Sequence, residues 1–194
     1  MKLGIAMNKE HGFTLIELIT AMVILSIITA TALPNFSTWR NNYQIRAESN
    51  RVHMDLRLAR MTAIKNNNNV VVTFLPASQT YSILNDTNNN GTADTGESLN
   101  SRALENNVQF GFSGGSITDM DNNSVTETVK MGPSDIVVFD ARGQASVSGV
   151  LFLINKYHFS AGSNDQLRGI NVIQATGAAE LWKHNAALTP IPWE

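Results

Sequence analysis

A run of oxygen-bearing side chains between residues 86 and 97 carries the clearest chemical pattern in the sequence. The spacing follows the D-x-N-x-N-G-x5-E pattern of a calcium-binding loop, and Gly91 permits the sharp turn that such a loop needs. The ligand oxygens would come from six residues: Asp86, Asn88, Asn90, Thr92, Asp94 and Glu97. The pattern therefore predicts a Ca²⁺ site. A solvated, asparagine-rich hairpin turn is the alternative, because no helical pattern flanks the loop on either side.

Other patterns that are typical of catalytic or metal sites lack the context that they need. The segment 111–115 matches the G-x-S-x-G elbow of hydrolases, but polar, turn-rich residues 116–124 follow it instead of a supporting helix. A second acidic stretch, 119–123, has no glycine and no closing glutamate, and we expect a loop there. The histidines show no metal-ligand spacing, and they are His11, His53, His158 and His184. We expect no catalytic residue and no enzyme, and no cofactor besides the calcium ion.

Composition and charge exclude several classes of protein. The chain has 194 residues, of which 43% are hydrophobic and 15% charged, so it is too apolar to be disordered. It has no cysteine, and therefore no disulfide and no thiolate metal site. A net charge of −2 does not suit a general nucleic-acid binder. The charge is unevenly distributed, with six basic and two acidic residues in 34–66 against six basic and twelve acidic residues in 67–194.

Residues 13–33 form an apolar run of 21 residues with one ionisable side chain, Glu17. As a helix the run would span about 32 Å, which is enough to cross the bilayer core. A cleaved secretory signal is the alternative, but the small residue Gly12 precedes the run, so cleavage there would leave the run attached. A carboxylate inside an apolar helix needs a partner. After cleavage at Gly12, the new amine of Phe13 in the same or a neighbouring copy would supply one.

Residues 34–66 keep a helical pattern after Pro34, which is expected to kink the helix. Two apolar stripes lie on roughly opposite faces of that helix. The first stripe contains Ile45, Val52, Leu56, Ala59 and Ala63, and the second contains Tyr43, Ala47, Met54, Leu58 and Met61. A surface helix of a monomer needs one apolar face, so we expect the other face to contact further subunits. A helix buried on both sides within one domain is the alternative. The asparagine run 66–69 ends the helix.

Residues 67–194 are predicted to form a β-rich globular head. Runs rich in Val, Ile, Phe and Tyr are separated by clusters of Asn, Asp, Gly and Ser. These runs are 70–75, 81–84, 108–112, 136–139, 150–154, 169–173 and 179–183. A long helix followed by about seven strands predicts an α+β fold in which the sheet packs on the helix.

The segment 9–18, KEHGFTLIEL, resembles the class III leader of type IV pilins and type II secretion pseudopilins. The resemblance implies that a prepilin peptidase cuts between Gly12 and Phe13 and N-methylates the new amine of Phe13. It further implies that Glu17 pairs with the amino terminus of a neighbouring subunit during assembly, and that Pro34 is the helix-kinking proline of this family. The expected organisation is a leader (1–12), a transmembrane and assembly helix (13–33), an amphipathic stalk (34–66) and a head (67–194).

The head is similar to one branch of this family, the H-type pseudopilins and FimT-like minor pilins. Four stretches carry the similarity: 58–65, 86–97, 139–143 and 170–177. The implied function is that of a minor pseudopilin, a structural subunit of the type II secretion pseudopilus that supports protein export. The implied partners are other pseudopilins or pilins, the prepilin peptidase and N-methyltransferase, and an inner-membrane assembly platform. The implied location is the bacterial inner membrane, with a single span, a periplasmic head and incorporation into a pseudopilus.

Two alternatives stay open from the sequence. A minor pilin of a type IV pilus or competence system would share the same leader. Some FimT-like proteins bind DNA through basic residues near the carboxyl terminus, but the turn 176–180 holds no basic residue, which disfavours nucleic-acid binding. Arg168 and Lys183 lie on either side of that turn and would be neighbours if their strands pair. The second alternative belongs to another functional class and is a membrane-anchored calcium-binding or hydrolytic module.

Overall fold

The computed structural model describes residues 12–105, 107–188 and 190–194, and for residues 31–35 it describes the backbone alone. The chain divides into two compact units, with the boundary between Arg40 and Asn41. One helix, α1, covers Leu15–Asn66 and contributes residues to both units. The predicted leader lies outside the described residues except for Gly12, so its cleavage stays a prediction.

In the first unit, the backbone is helical from Leu15 onward, and position 34 belongs to the same helix. The side chain of Pro34 lies outside the described part of the chain, so the expected kink stays a prediction. No helix among the described residues combines the length and the apolar character that crossing a membrane requires. The predicted span 13–33 includes residues 31–33, whose side chains also lie outside the description, and the span stays a prediction.

The second unit consists of the rest of α1 and a β-rich region. In the part of this region that the structure describes, eleven strands, one short α-helix and two 3-10 helices (Pro76–Ser78 and Gly132–Ser134) follow α1. The strands are β1 (Asn69–Leu75), β2 (Thr80–Asp86), β3 (Ser98–Ala103), β4 (Val108–Phe110), β5 (Ile117–Thr118), β6 (Ser124–Val125), β7 (Val129–Lys130), β8 (Ile136–Phe139), β9 (Gly149–Asn155), β10 (Arg168–Ile173) and β11 (Ala178–Lys183). The short helix α2 (Lys156–Ser160) lies between β9 and β10. All seven predicted strands are present, so the α+β prediction is confirmed.

The described strands pair in antiparallel fashion into two main sheets and a separate hairpin. The first sheet has the order β3-β2-β1-β8. The second has the order β11-β10-β9-β4, and β7 also pairs with β9. Strands β5 and β6 pair only with each other among the described residues. The meander β9-β10-β11 therefore forms one edge of the second sheet, and the hairpin β2-β3 forms one edge of the first.

The main hydrophobic core lies between α1 and both sheets. It combines the first apolar stripe of α1 with apolar side chains of β1, β8, β9 and β10, among them Val72, Phe74, Phe139, Leu153 and Ile170. A second, smaller core lies on the opposite face of β9 and contains Phe152, Ile154 and Trp193. Strand β9 is thus buried on both faces, which explains why its sequence is continuously apolar instead of alternating.

The asparagine run at the end of α1 does more than stop the helix. Asn67 adopts the left-handed conformation with φ at 54°, which asparagine tolerates better than most residues at a helix end. The side-chain amides of Asn66 and Asn68 donate to Oδ1 of Asn85 at 3.3 and 3.0 Å. Because Asn85 lies in β2, the same run that terminates α1 also fixes the helix end against the first sheet. The predicted helix end is confirmed.

Candidate functional site

The amino-terminal end of α1 is closed by a reciprocal pair of hydrogen bonds between Thr14 and Glu17. Both the backbone N–H and the hydroxyl of Thr14 donate to Oε2 of Glu17 at 2.9 Å. In return, the backbone N–H of Glu17 donates to the Thr14 hydroxyl oxygen at 3.3 Å. This arrangement is a capping box, and its T-x-x-E signature, residues 14–17, is present in the sequence. Glu17 therefore has a local role at the helix end besides the predicted one in assembly. In the single chain, Thr14 therefore already binds the Glu17 carboxylate.

Residues 13–30 present apolar side chains to the surroundings on every side. Phe13 is 90% exposed, and the large side chains that follow it are exposed as well: Leu15, Ile16, Leu18, Ile19, Met22, Val23, Ile24, Leu25, Ile27 and Ile28. The hydroxyls of Thr20, Ser26 and Thr29 donate to backbone carbonyls one turn earlier, at 2.7–3.0 Å. Their polar groups are satisfied within the helix, which leaves its surface still more apolar.

The second unit confirms the two predicted faces of α1. All five residues of the first stripe are buried, at 0–2% exposure. The second stripe is exposed, and its large side chains are 57–65% accessible: Tyr43, Met54, Leu58 and Met61. The alternative of a helix buried on both sides of one domain is therefore wrong for the single chain. A row of large apolar side chains on an exposed helix face is typical of a surface that contacts other molecules.

Two buried carboxylates of α1 tie the helix to the head, and the sequence analysis missed both. Asp55 accepts a hydrogen bond from the Tyr81 hydroxyl at 2.6 Å. It also forms an ion pair with Arg102 at 3.3 Å. Burial, together with the hydrogen bond to Asp55, raises the pKa of Tyr81 well above its ordinary value. Glu48 accepts the backbone N–H of Glu105 in the head at 3.2 Å and pairs with Arg51 of the same helix at 2.5 Å. Burial raises the pKa of Glu48 despite these contacts. A charged residue inside the apolar stripe was the available signal.

Three of the stretches that carried the head resemblance meet at one point. Nε of Arg60 in α1 donates to the carbonyl oxygen of Gly143 at 2.9 Å. Gly143 and Gly177 lie at the tips of two turns, with φ of 79° and 61°, and a Cβ on Gly177 would overlap the Gly143 carbonyl. A Cβ on Gly143 would in turn contact Ile64 of α1. The close approach of three backbone segments explains why glycine occupies both turn positions.

The predicted calcium loop connects β2 to β3, so strands and not helices flank it, as the sequence indicated. Asp86 is buried, and its two carboxylate oxygens accept the backbone N–H groups of Asn90 at 3.1 Å and Gly91 at 2.8 Å. Gly91 has a positive φ of 78°, which fits its predicted role in the sharp turn. The loop is thus folded around Asp86.

The remaining predicted ligands lie close to one another on the exposed side of this loop. The side-chain amides of Asn88 and Asn90 donate to Oδ2 of Asp94 at 2.8 and 2.6 Å, and these bonds lower the pKa of Asp94. Oε1 of Glu97 accepts the backbone N–H of Thr87 at 2.7 Å. Thr92 donates its backbone N–H to Oδ1 of Asn90 at 2.8 Å. These hydrogen bonds order the loop within the chain itself, and the calcium site stays a prediction.

Nothing in the described residues supports the other chemical patterns. After Gly115 the chain enters β5 instead of a helix, so the hydrolase elbow lacks its support. The stretch 119–123 is the turn of the β5–β6 hairpin, where Asp119 accepts backbone N–H groups of Asp121 and Asn123. Across the same described residues, no three His, Cys, Asp or Glu side chains are arranged to hold a metal ion.

Comparison with known protein families identifies the family of this chain. Residues 7–33 match the model of the prokaryotic N-terminal methylation motif. Residues 48–174, more than half of the chain, match the family described as type II transport protein GspH. The chain belongs to the GspH family. The resemblance of both the amino terminus and the head is thereby confirmed, and membrane anchoring is expected from a leader of this type.

Solved structures that are similar to this chain include two bacterial proteins. One is the minor pseudopilin EpsH from the type 2 secretion system of Vibrio cholerae, at 15% identity and a TM-score of 0.49, covering 71% of this chain and 95% of that one. Another is the type IV minor pilin FimU of Pseudomonas aeruginosa, at 13% identity and a TM-score of 0.47, covering 72% and 88%. No curated protein matches the sequence.

Membership of the GspH family indicates which surfaces of the structure to consider for function. The family is one of structural subunits of the pseudopilin type. Such a subunit needs surfaces that contact other subunits, and the GspH match begins at Glu48, inside the part of α1 that carries the exposed apolar stripe. The exposed apolar side chains of α1 in each unit are therefore candidates for such surfaces.

Proposed function

We propose that this GspH-family chain is a minor pseudopilin of a type II secretion system. In this proposal a prepilin peptidase removes residues 1–12 and methylates the amine of Phe13. Residues 13–33 then hold the subunit in the inner membrane, with the head on the periplasmic side. An assembly platform moves the subunit into the pseudopilus, where it contacts other pseudopilins. The head has no enzymatic role.

The observation that carries the proposal is the continuous apolar surface of residues 13–30. Its side chains are exposed on all sides, and in a filament contacts with neighbouring helices would replace their contacts with lipid. The exposed stripe of Met54, Leu58 and Met61 is a separate apolar surface that the second unit would offer to other subunits. Assembly of this kind needs apolar area and register, and it needs no catalytic group.

Glu17 supplies the register in this proposal. Its carboxylate has two oxygens, and the hydrogen bonds from Thr14 go to Oε2. Oε1 would accept the amine of Phe13 from a neighbouring subunit. A charge pair formed in apolar surroundings is much stronger than the same pair in water, so a subunit at the wrong height would leave Glu17 without its partner.

The test separates the role of Glu17 in capping α1 from its proposed role in setting the register between subunits. Glu17→Gln keeps an oxygen that accepts from Thr14, because glutamine also completes a capping box, but it removes the charge. Thr14→Val removes the capping hydroxyl and keeps the charge. In cells that make the other pseudopilins, we expect Glu17→Gln to be processed but absent from cross-linked assemblies, while Thr14→Val and the exposed head variant Glu180→Gln assemble. Normal assembly of Glu17→Gln would contradict the registering role.

The same experiment tests the wider proposal. Cross-linking of the unaltered chain to pseudopilins of a secretion system, together with loss of protein export when the chain is deleted, is the expected result. Cross-linking to pilins of a type IV pilus or competence system, with export intact, would make the chain a minor pilin instead. Recovery of the chain as a membrane-bound monomer under all conditions would contradict both.

A further inference from the structure

Helix α2 lies beside the point at which α1 enters the second unit. Nε2 of His158 in α2 is hydrogen-bonded to Oδ1 of Asn42 at 3.4 Å, and Asn42 is the second residue of this unit. The ring of Tyr157 packs edge-on against His158, with ring centroids 5.4 Å apart. We call this part of the second unit its entry end, because the chain enters the unit there.

The carboxyl-terminal tail, residues 184–188 and 190–194, lies at the same end of the second sheet. Arg168, the first residue of β10, pairs with Leu153 near the end of β9 and with Lys183 at the end of β11. Because these strands are antiparallel, the end of β9, the start of β10 and the end of β11 share one edge of the sheet. Helix α2 follows β9 and the tail follows β11, so both belong to the entry end.

The exposed apolar side chains of the head are concentrated at the entry end. In the described part of 67–194, six large hydrophobic side chains are exposed, and two of them are Leu75 and Leu99. The other four belong to α2 and the tail and are 39–59% accessible: Tyr157, Phe159, Leu188 and Ile191. Lys156 is exposed beside them. Aromatic and aliphatic side chains flanked by lysine are typical of a surface that contacts the bilayer–water interface.

The opposite end of the second unit has a different character. Leu99 lies in β3, opposite the end of β2 that holds Asn85, and Asn85 accepts the side-chain amide of Asn66 where α1 ends. From Asn42 to Asn66 the helix rises about 36 Å. The loop 86–97 follows Asn85 and contains three acidic residues and no basic one. An acidic surface does not suit contact with anionic phospholipids.

The chain connects the entry end to the membrane through a short segment. The proposed span ends at position 33, nine residues before Asn42. Nine residues reach at most about 30 Å even when they are fully extended. Because α2 is hydrogen-bonded to Asn42, its exposed side chains lie within reach of the membrane surface.

We infer that α2 and the tail form a surface that binds the headgroup region of a phospholipid bilayer while the subunit is held in the membrane. The inference rests on the membrane anchoring of the proposed function. The rings of Tyr157 and Phe159 enter the boundary between headgroups and acyl chains, where an aromatic side chain loses contact with water. Lys156 stays at the headgroups and pairs with their phosphates. The subunit gives up this contact when it moves into a pseudopilus.

The chain has no cysteine, so a single introduced cysteine can be labelled with the fluorophore bimane. Tyr157→Cys and Leu188→Cys report on the proposed surface, and Ser26→Cys reports on the span. Leu99→Cys is the matched control, since Leu99 is also an exposed apolar residue but lies at the opposite end. Each full-length variant is placed, one copy per nanodisc, in phosphatidylethanolamine and phosphatidylglycerol with acyl chains brominated near the headgroup. We expect quenching at positions 157 and 188 to be about threefold or more stronger than at position 99.

A second comparison tests whether the aromatic side chains hold the surface on the bilayer. Tyr157→Ser combined with Phe159→Ser should lower the quenching of the label at position 188 by about half or more. Leu75→Ser combined with Leu99→Ser removes two exposed apolar side chains elsewhere on the head and should leave that quenching unchanged. All four side chains are exposed, so both double variants should keep the thermal midpoint of the unaltered chain in detergent. Equal quenching in the two double variants would overturn the inference.

The label at position 26 distinguishes failure of the inference from failure of the proposed function. Strong quenching at position 26, with equal quenching at 157, 188 and 99, would overturn the lipid contact and leave the anchoring intact. Weak quenching at position 26 would contradict the anchoring itself, and the lipid contact with it. Labels at 157 and 188 that lose their contact with water only when other pseudopilins are added would assign the surface to a neighbouring subunit, which also overturns the inference.

Discussion

The hydroxyl of Tyr81 in β2 donates to Oδ2 of Asp55 in α1 at 2.6 Å, inside the interface between the helix and the first sheet. Asp55 lies next to Leu56 of the buried stripe, and Tyr81 is 1% exposed. The ring of Tyr81 packs against Phe74, with ring centroids 6.2 Å apart. This contact fixes the rotation of α1 about its axis, because Asp55 reaches Tyr81 only when the apolar stripe faces the core. The exposed stripe then faces outward.

Tyr81→Phe should lower the stability of the head measurably. The substitution removes the donor to a buried carboxylate and leaves only Arg102 to compensate it, which should cost about 1.5–3 kcal/mol. Thermal unfolding of the full chain in detergent measures the change. Tyr157→Phe is the matched control, since Tyr157 is 59% exposed and should tolerate the loss of its hydroxyl. Equal midpoints for the two variants would mean that the Asp55 contact does not hold the helix.

Leu56 and Leu58 should separate folding from assembly, although they lie two residues apart. Leu56→Ala removes a side chain that is 2% exposed and should cost about 2–5 kcal/mol of stability. Leu58→Asp places a charge on the exposed stripe, so stability should hardly change while cross-linking to other subunits falls. Thermal unfolding and cross-linking yield are measured on both variants. Loss of stability in Leu58→Asp, or full cross-linking, would contradict an assembly role for that face.

Gly177→Ala tests the meeting of the two turns on α1. The variant would suffer both a positive φ of 61° and an overlap with the Gly143 carbonyl. Gly162→Ala is the control, because Gly162 has a similar φ of 71° but no atom within 4 Å of the added Cβ. Both should lose about 1 kcal/mol to backbone strain, and Gly177→Ala should lose clearly more. Similar midpoints for the two would show that the turns do not pack as described.

The spacing of the oxygen-bearing residues in the loop between β2 and β3 predicts weak binding of Ca²⁺. Calorimetry on the full chain in detergent should show a dissociation constant of about 10⁻⁴–10⁻³ M, the range of extracellular modules. Glu97→Gln should abolish this heat, because the closing carboxylate is lost, whereas Glu180→Gln should not change it. No calcium heat at millimolar concentration would assign the loop to an asparagine-rich turn.

Much of the head could be predicted because its strands are apolar. The runs 136–139 and 150–154 have the Val, Ile and Phe content of buried strands, and both are strands in the structure. Strand β3 was missed because all six of its residues are exposed and mostly polar, so it has no hydrophobic pattern. Its position comes from its pairing with β2 across the loop, which no local sequence signal reveals. Helix α2 is only five residues long and gives no periodicity.

The surfaces of α1 were predictable for a similar reason, and the buried polar contacts were not. The 3.6-residue period of an α-helix places Leu56 and Leu58 on different faces, independently of the rest of the fold. The same period placed Asp55 near the buried stripe without indicating that Tyr81, 26 residues later, would meet it. Contacts between distant segments require the tertiary structure.

The mass of the mature amino terminus tests the central claim most directly. The chain is purified from membranes of cells that make it, digested, and its amino-terminal peptide is sequenced by mass spectrometry. The account predicts N-methylated Phe13 as the first residue, followed by an uninterrupted 14–33 segment. A mature chain that begins beyond Leu33 and is recovered in the soluble fraction would contradict it, since no apolar helix would then be left to assemble.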